Sequence, residues 1–300
     1  MEVGLPGGVR GCRGPAQPSG GGTSVVLFMV LAILLSWAPR LLLPGREGAG
    51  GPGASGSDLL LTGAPGPLLA AVIVRLARRD GRGWGLGWRA PARWVGGALV
   101  LPAGWMAAVI AVGTETGLSQ WPGPAASLPS VLVRSVRNLL LLGLPLGLFQ
   151  ELAWRGFLLP RLAAHGKMAA SLAVGGVWWA CACPLVIGTG FYGNTSPSLA
   201  LPALLLHLLP LSLLMTWAWS GSGRSLVVCV ILHALFWTFA GDVMQPAHLT
   251  GMPILVGPRG ILSSMFLVLG VWWLYLRGAF RSRPHADWPE TIHELPEEQG

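Results

Sequence analysis

Leu139-Leu-Leu-Leu-Gly-Leu-Pro-Leu-Gly-Leu-Phe149 runs without a polar side chain into Gln150-Glu151, and Arg155 follows four residues after the glutamate. A lone carboxylate at the end of such a run is costly in hydrocarbon unless it is protonated or paired. Arg155 lies one helical turn on, in the favourable order of acid before base. Two readings follow. The pair is a structural ion pair that neutralises itself, or it is a polar site inside a bilayer.

The rest of the chain has the same character. Its 300 residues are 52% hydrophobic and only 11% charged, with a mean hydropathy of +0.60. That composition excludes an ordinary soluble two-domain protein and points to an integral membrane protein. A net charge of +8 raises the question of nucleic acid, but most arginines sit between apolar segments, which is the pattern of membrane topology. The expected partner is the lipid bilayer, and no nucleic acid.

Eight apolar segments are read as spans: Val25 to Leu43, Leu59 to Val74, Val95 to Val112, Val131 to Phe149, Met168 to Ile187, Leu199 to Trp217, Leu226 to Ala240 and Ile261 to Leu276. Several are shorter than the roughly 20 residues a bilayer needs, and all but the last two contain proline. The expected fold is an all-α multi-pass transmembrane helical bundle of about eight spans. Residues 1–23, rich in Gly and Pro, are expected to be disordered. Arginines precede the first apolar run, as in a signal peptide, but no clear small-x-small cleavage site follows, so a retained helix is preferred.

The linker from Arg75 to Arg93 carries Arg75, Arg78, Arg79, Arg82, Arg89 and Arg93 against Asp80 alone, which places it in the cytoplasm. Alternation from there puts Arg155, Arg161, Lys167, Arg224, Arg277, Arg281 and Arg283 on the same side, with both termini. The chain then divides into a disordered lead (1–23), three membrane helices with the Arg-rich linker (24–130), a core of about four helices (131–240), a loop with the last helix (241–276) and a cytoplasmic tail (277–300). The expected location is the cell membrane.

Beyond Glu151 and Arg155, the ionisable groups inside apolar segments are few. Arg40, Arg134 and Arg137 lie near helix ends and can snorkel. His207 and His233 lie within the sixth and seventh segments. Cys181 and Cys183 point roughly 200° apart on a helix and read as packing, not as a metal pair. No metal and no cofactor is expected.

The stretch Gln150-Glu151-Leu152-Ala153-Trp154-Arg155-Gly156-Phe157-Leu158-Leu159-Pro160-Arg161-Leu162 resembles the first motif, E-E-x-x-x-R, of the CPBP family of CAAX-protease and bacteriocin-processing intramembrane endopeptidases. Val177-Trp-Trp-Ala-Cys-Ala-Cys-Pro184 is similar to that family's central F-x-x-x-H-x-P segment. The stretch from Trp217 through Ser225 to His233 and Thr238 is similar to its last segment, a Gly-Ser turn and a helix bearing H-x-x-x-N. The resemblance covers roughly residues 131 to 240 and implies an endopeptidase acting on membrane-associated peptides or proteins.

In the family, the first glutamate and the central histidine activate a water, the second glutamate and the arginine support them, and the last histidine and asparagine stabilise the oxyanion. By position, Glu151 matches the second glutamate, Arg155 the arginine and His233 the last histidine. Three positions depart: Gln150 replaces the first glutamate, Ala182 the central histidine and Trp237 the asparagine. An amide has glutamate's size without its basicity, alanine has no lone pair, and an indole offers one N–H from a different place. Losing a base or an oxyanion donor typically costs orders of magnitude in rate.

At 1.5 Å rise per residue, Gln150, Ala182 and His233 lie roughly 16, 18 and 12 Å from their cytoplasmic helix ends and can share a layer. Two substitutes for the missing groups suggest themselves: Glu151 as the base, or His207 turned inward. Other protease classes fit less well. His293-Glu294 lacks H-E-x-x-H, Ser220-Gly221-Ser222-Gly223 reads as a tight turn, and Asp242 has no intramembrane partner for an aspartyl dyad. The sequence therefore carries two functional readings: an intramembrane endopeptidase homologue with altered or residual activity, or an inactive pseudoprotease that binds or chaperones membrane partners.

Overall fold

The computed structural model describes residues 21–42, 63–79, 84, 86–119, 128–187, 191–192, 195–239, 252–257 and 259–281. All eight apolar segments contain a helix among the described residues. They form α1 (Gly21–Leu42), α2 (Gly66–Arg78), α3 (Ala92–Glu115), the composite α4 (Leu128 to Arg161), α5 (Lys167–Val186), α6 (Pro197–Gly221), α7 (Leu226–Thr238) and α8 (Ile261–Leu276). Among the described residues there is no strand, and the chain is a multi-pass bundle of membrane helices.

Among the described residues six helical stretches are long and apolar enough to cross a membrane, the last being Ile254–Leu276, which takes in α8, whereas α2 and α7 have 13 residues each. Thirteen residues rise only about 20 Å, short of a roughly 30 Å hydrocarbon core. The eight predicted spans thus become eight helices, six of full length; the predicted start of the second segment at Leu59 lies outside the described residues. So do residues 1–20 of the lead and 282–300 of the tail. The lead is shorter than predicted, since α1 is already helical at Gly21.

Prolines shape α4. Its α-helical pieces Leu128–Asn138, Leu144–Glu151 and Leu159–Arg161 are separated by π-helical stretches at Leu139–Gly143 and Leu152–Leu158. Leu144 N–H donates to Leu139 O and Leu159 N–H to Trp154 O, each reaching five residues back. Pro145 and Pro160 come next in the chain, and neither has an N–H for the carbonyl four residues earlier. The extra residue in each turn accommodates the missing donor, and such π turns are frequent at functional sites.

Small residues let the helices around this segment approach closely. A Cβ at Gly147 would lie 3.0 Å from Val230 O on α7, and one at Gly143 2.8 Å from the Thr238 hydroxyl. On α5, Gly175 meets Leu209 and Ser212 of α6 at 3.1 Å. From the N-terminal side, Phe28 of α1 packs on Phe157 and Trp154, with ring centroids 4.8 and 6.1 Å away. Trp37 Nε1–H donates to Ala180 O of α5 at 2.9 Å. Val26, Val30 and Leu34 of α1, with Met265, Leu269 and Trp272 of α8, form exposed outer faces suited to lipid.

The linker after α2 is tied across one end of the bundle. Gly87 N–H donates to Arg224 O and Leu226 N–H to Gly87 O, both at 2.9 Å, so a single backbone bridge joins the linker to the start of α7. Trp84 and Leu86 lie over Gly156, where a Cβ would come within 2.9 Å of Leu86. The Arg75 guanidinium sits 4.7 Å from the centre of the Trp84 ring.

Candidate functional site

Side chains of α4 and α7 meet at Glu151, and the contacts run on from there to α6 and α5. The π stretch of α4 carries Arg155, whose Nη1–H donates to Glu151 Oε1 at 3.1 Å. From α7, His233 Nδ1 lies 2.7 Å from the same oxygen. Arg155 also reaches α6, donating from Nη2 to Ser212 O at 3.2 Å. Ser212 in turn donates its hydroxyl to Ser171 O of α5 at 2.9 Å. Glu151 and Arg155 have no solvent exposure, and His233 is buried.

A carboxylate oxygen only accepts, so an ionised Glu151 requires the proton of this contact to sit on His233 Nδ1. Glu151 Oε2 and Arg155 Nε are buried without a hydrogen-bond partner among the described residues. The cluster is therefore compact but incompletely satisfied, which is uncommon for buried polar groups.

Gln150 faces elsewhere. Its Oε1 accepts from Trp154 Nε1–H at 2.9 Å, and its Nε2–H donates to Ala64 O at 3.2 Å. Both ends of the amide are engaged, and the two partners fix which end is oxygen. Its contacts lie on the α1–α2 connection and on its own helix.

Ala182 is half-buried on α5. One turn before it, Trp178 stacks on the His233 ring with centroids 5.1 Å apart and planes 28° apart. The same ring lies 5.8 Å from the Arg155 guanidinium carbon and 6.3 Å from the Trp154 ring. An aromatic wall thus covers the imidazole one turn from Ala182. Trp237, one turn after His233, is half-buried.

His207 is not part of this group. It is buried on α6 facing α8, with its Nδ1 3.5 Å from the hydroxyls of both Ser263 and Ser264. Trp105 of α3 lies 6.2 Å from it, ring to ring. Position 207 precedes Ser212 by five residues, about 140° around the helix, so α6 presents His207 and the Arg155 contact on different faces.

The structure thus brings Glu151, Arg155 and His233 together, sets Gln150 and Ala182 beside them without joining them, and holds His207 apart. Trp154, Trp178 and Ser212 complete the surroundings, although the sequence alone gives them no role. Each tryptophan stands one turn from a motif position, but an indole in an apolar helix does not announce which way it points. Among the described residues no group of three His, Cys, Asp or Glu side chains could hold a metal. Cys181, Cys183 and Cys229 are buried and unpaired by disulfides, and Cys183 Sγ donates to Trp179 O at 3.2 Å.

No curated protein matches the chain. Residues 132–239, just over a third of it, match the family model described as type II CAAX prenyl endopeptidase Rce1-like. The matched stretch begins within α4, ends one residue past α7, and contains Glu151, Arg155 and His233 with the helices that hold them. Within this multi-pass membrane protein, residues 132–239 are thus similar to the Rce1-like type II CAAX prenyl endopeptidases.

Proposed function

We propose that the chain is a pseudoprotease of this family, a membrane protein that binds or chaperones membrane-associated peptides or proteins without hydrolysing them by the family's mechanism. The observation that carries this reading is the bonding of Gln150. At the position of the water-activating glutamate stands an amide with negligible basicity, and both its ends are engaged by Trp154 and Ala64. The Trp178 ring on His233 and the alanine at 182 support the same reading.

The test is peptide cleavage by the purified protein in lipid. The unmodified chain should not cut, and Gln150→Glu, Ala182→His and Trp237→Asn introduced together should confer cleavage. Activity in the unmodified protein that vanishes with Glu151→Ala would overturn the proposal.

One observation favours the second reading, an endopeptidase with altered or residual activity. Glu151 holds His233 at 2.7 Å while its Oε2 has no partner among the described residues, and this carboxylate–imidazole pair supports a version in which His233 serves as the base. This version makes cleavage depend on Glu151 and His233 and not on position 150. The same assay separates the two.

We further propose that this is a cell-membrane protein with both termini in the cytoplasm. The arginine asymmetry between the ends of the helices supports this orientation. The three helices before residue 130 then serve as a brace, a role supported by the contacts of Phe28, Trp37 and Ala64 with the domain.

A further inference from the structure

At the end of the bundle where α2 stops and α3 starts, Arg78, Arg79, Arg89 and Arg93 are exposed to solvent. Among the described residues the only carboxylates are Glu115, at the far end of α3, and the buried Glu151. Asp80 and Arg82, between the two helices, lie outside the described residues. Interleaved with the arginines are two large apolar side chains, Leu76 and Trp88, each 73% exposed.

Two of the arginines occupy positions that backbone physics disfavours. Arg79 caps α2 with φ 47° and ψ 41°, the left-handed conformation in which glycine is cheaper than any side chain. Arg93 lies in the first turn of α3, which has no acidic residue, so its charge meets the positive end of the helix dipole. Membrane orientation requires positive charge near this end but not at these two positions, and it does not require an exposed indole.

We propose that this surface is a docking site for anionic phospholipid headgroups. The arginines contact lipid phosphates and carboxylates, and Trp88 and Leu76 anchor in the interfacial region just below them. Tryptophan is the residue of that layer, and each arginine near an anionic surface strengthens association about fivefold. The charge that folding alone disfavours at Arg79 and Arg93 is then offset by the lipid. The proposal is independent of whether the domain cleaves peptides.

The full-length protein is reconstituted in nanodiscs of phosphatidylcholine alone and of phosphatidylcholine with roughly a quarter phosphatidylserine, a charge density whose attraction fades over the Debye length. Apparent melting temperature is measured in each, at low and high salt. The expected result is a rise of several degrees with phosphatidylserine that shrinks at high salt. The combined variant R78Q/R79Q/R89Q/R93Q should lose that rise while melting near the unmodified protein in phosphatidylcholine.

Arg79→Gly gives a sharper signature. Relief of the left-handed backbone should raise its melting temperature in phosphatidylcholine by about 2 °C, while its response to phosphatidylserine falls. A purely structural arginine would not move these two readings in opposite directions. If the combined variant does not fold, Arg79→Gly alone decides. Equal melting of the unmodified protein in both lipids, or an undiminished response in the variants, overturns the proposal. So does a full response to inorganic phosphate in phosphatidylcholine discs, which would assign the surface to free anions instead of lipid.

Discussion

Glu151 receives both of its neighbours through one oxygen, at 2.7 Å from His233 and 3.1 Å from Arg155. With the pair sealed from solvent, removing one member strands the other. Arg155→Ala should destabilise the protein by about 3–5 kcal/mol, whereas Glu151→Leu combined with Arg155→Leu should recover most of that loss. Thermal unfolding in detergent of the single and double variants checks both. Trp178→Ala, which strips the aromatic cover from His233, should cost about 3–5 kcal/mol by the same measurement. Glu151, Arg155 and His233 were legible in the sequence because a charge in an apolar run is conspicuous. The engagement of Gln150 by Ala64 was not, since it depends on a backbone carbonyl 86 residues away.

Among the elements, the joint between α4 and α7 sets the distance across the site. The methyl-free faces of Gly143 and Gly147 let α7 approach until a Cβ at 147 would stand 3.6 Å from that of His233. Gly147→Leu should therefore cost about 1–3 kcal/mol through overpacking. Gly104→Ala and Gly176→Ala, where an added methyl meets nothing, should instead be stabilising by about 0.5–1 kcal/mol. Equilibrium unfolding of the three variants orders them. Helix positions were legible from the apolar runs, but not every helix end: α4 runs past Phe149 to Arg161. The π stretches were not. Pro145 and Pro160 mark where the ladder must change, but a proline alone does not say whether a helix kinks, breaks or widens.

For the whole molecule, orientation follows from charge that no single helix possesses. In a background of Cys12→Ser, with Cys181, Cys183 and Cys229 buried, Thr116→Cys should react with a membrane-impermeant maleimide added to intact cells. Arg89→Cys should react only after permeabilisation. The reverse pattern would place the arginine-rich end outside. Multi-pass architecture was readable from composition, but the packing of the preceding helices on residues 132–239 was not. Phe28 against Phe157 and Trp37 against Ala180 are contacts between segments that neither periodicity nor motif links.

The bridge between Gly87 and the start of α7 also has a consequence in time. Gly87 leaves the ribosome well over a hundred residues before Arg224 and Leu226, and Trp84 and Leu86 leave long before Gly156. During synthesis the first three helices are inserted while their linker has nothing to pair with. Its indole and leucine wait uncovered, and the joint can close only when the seventh helix arrives. The bridge thus ties the linker between the second and third helices to a segment synthesised 139 residues later, so a chain ending before residue 226 lacks this closure.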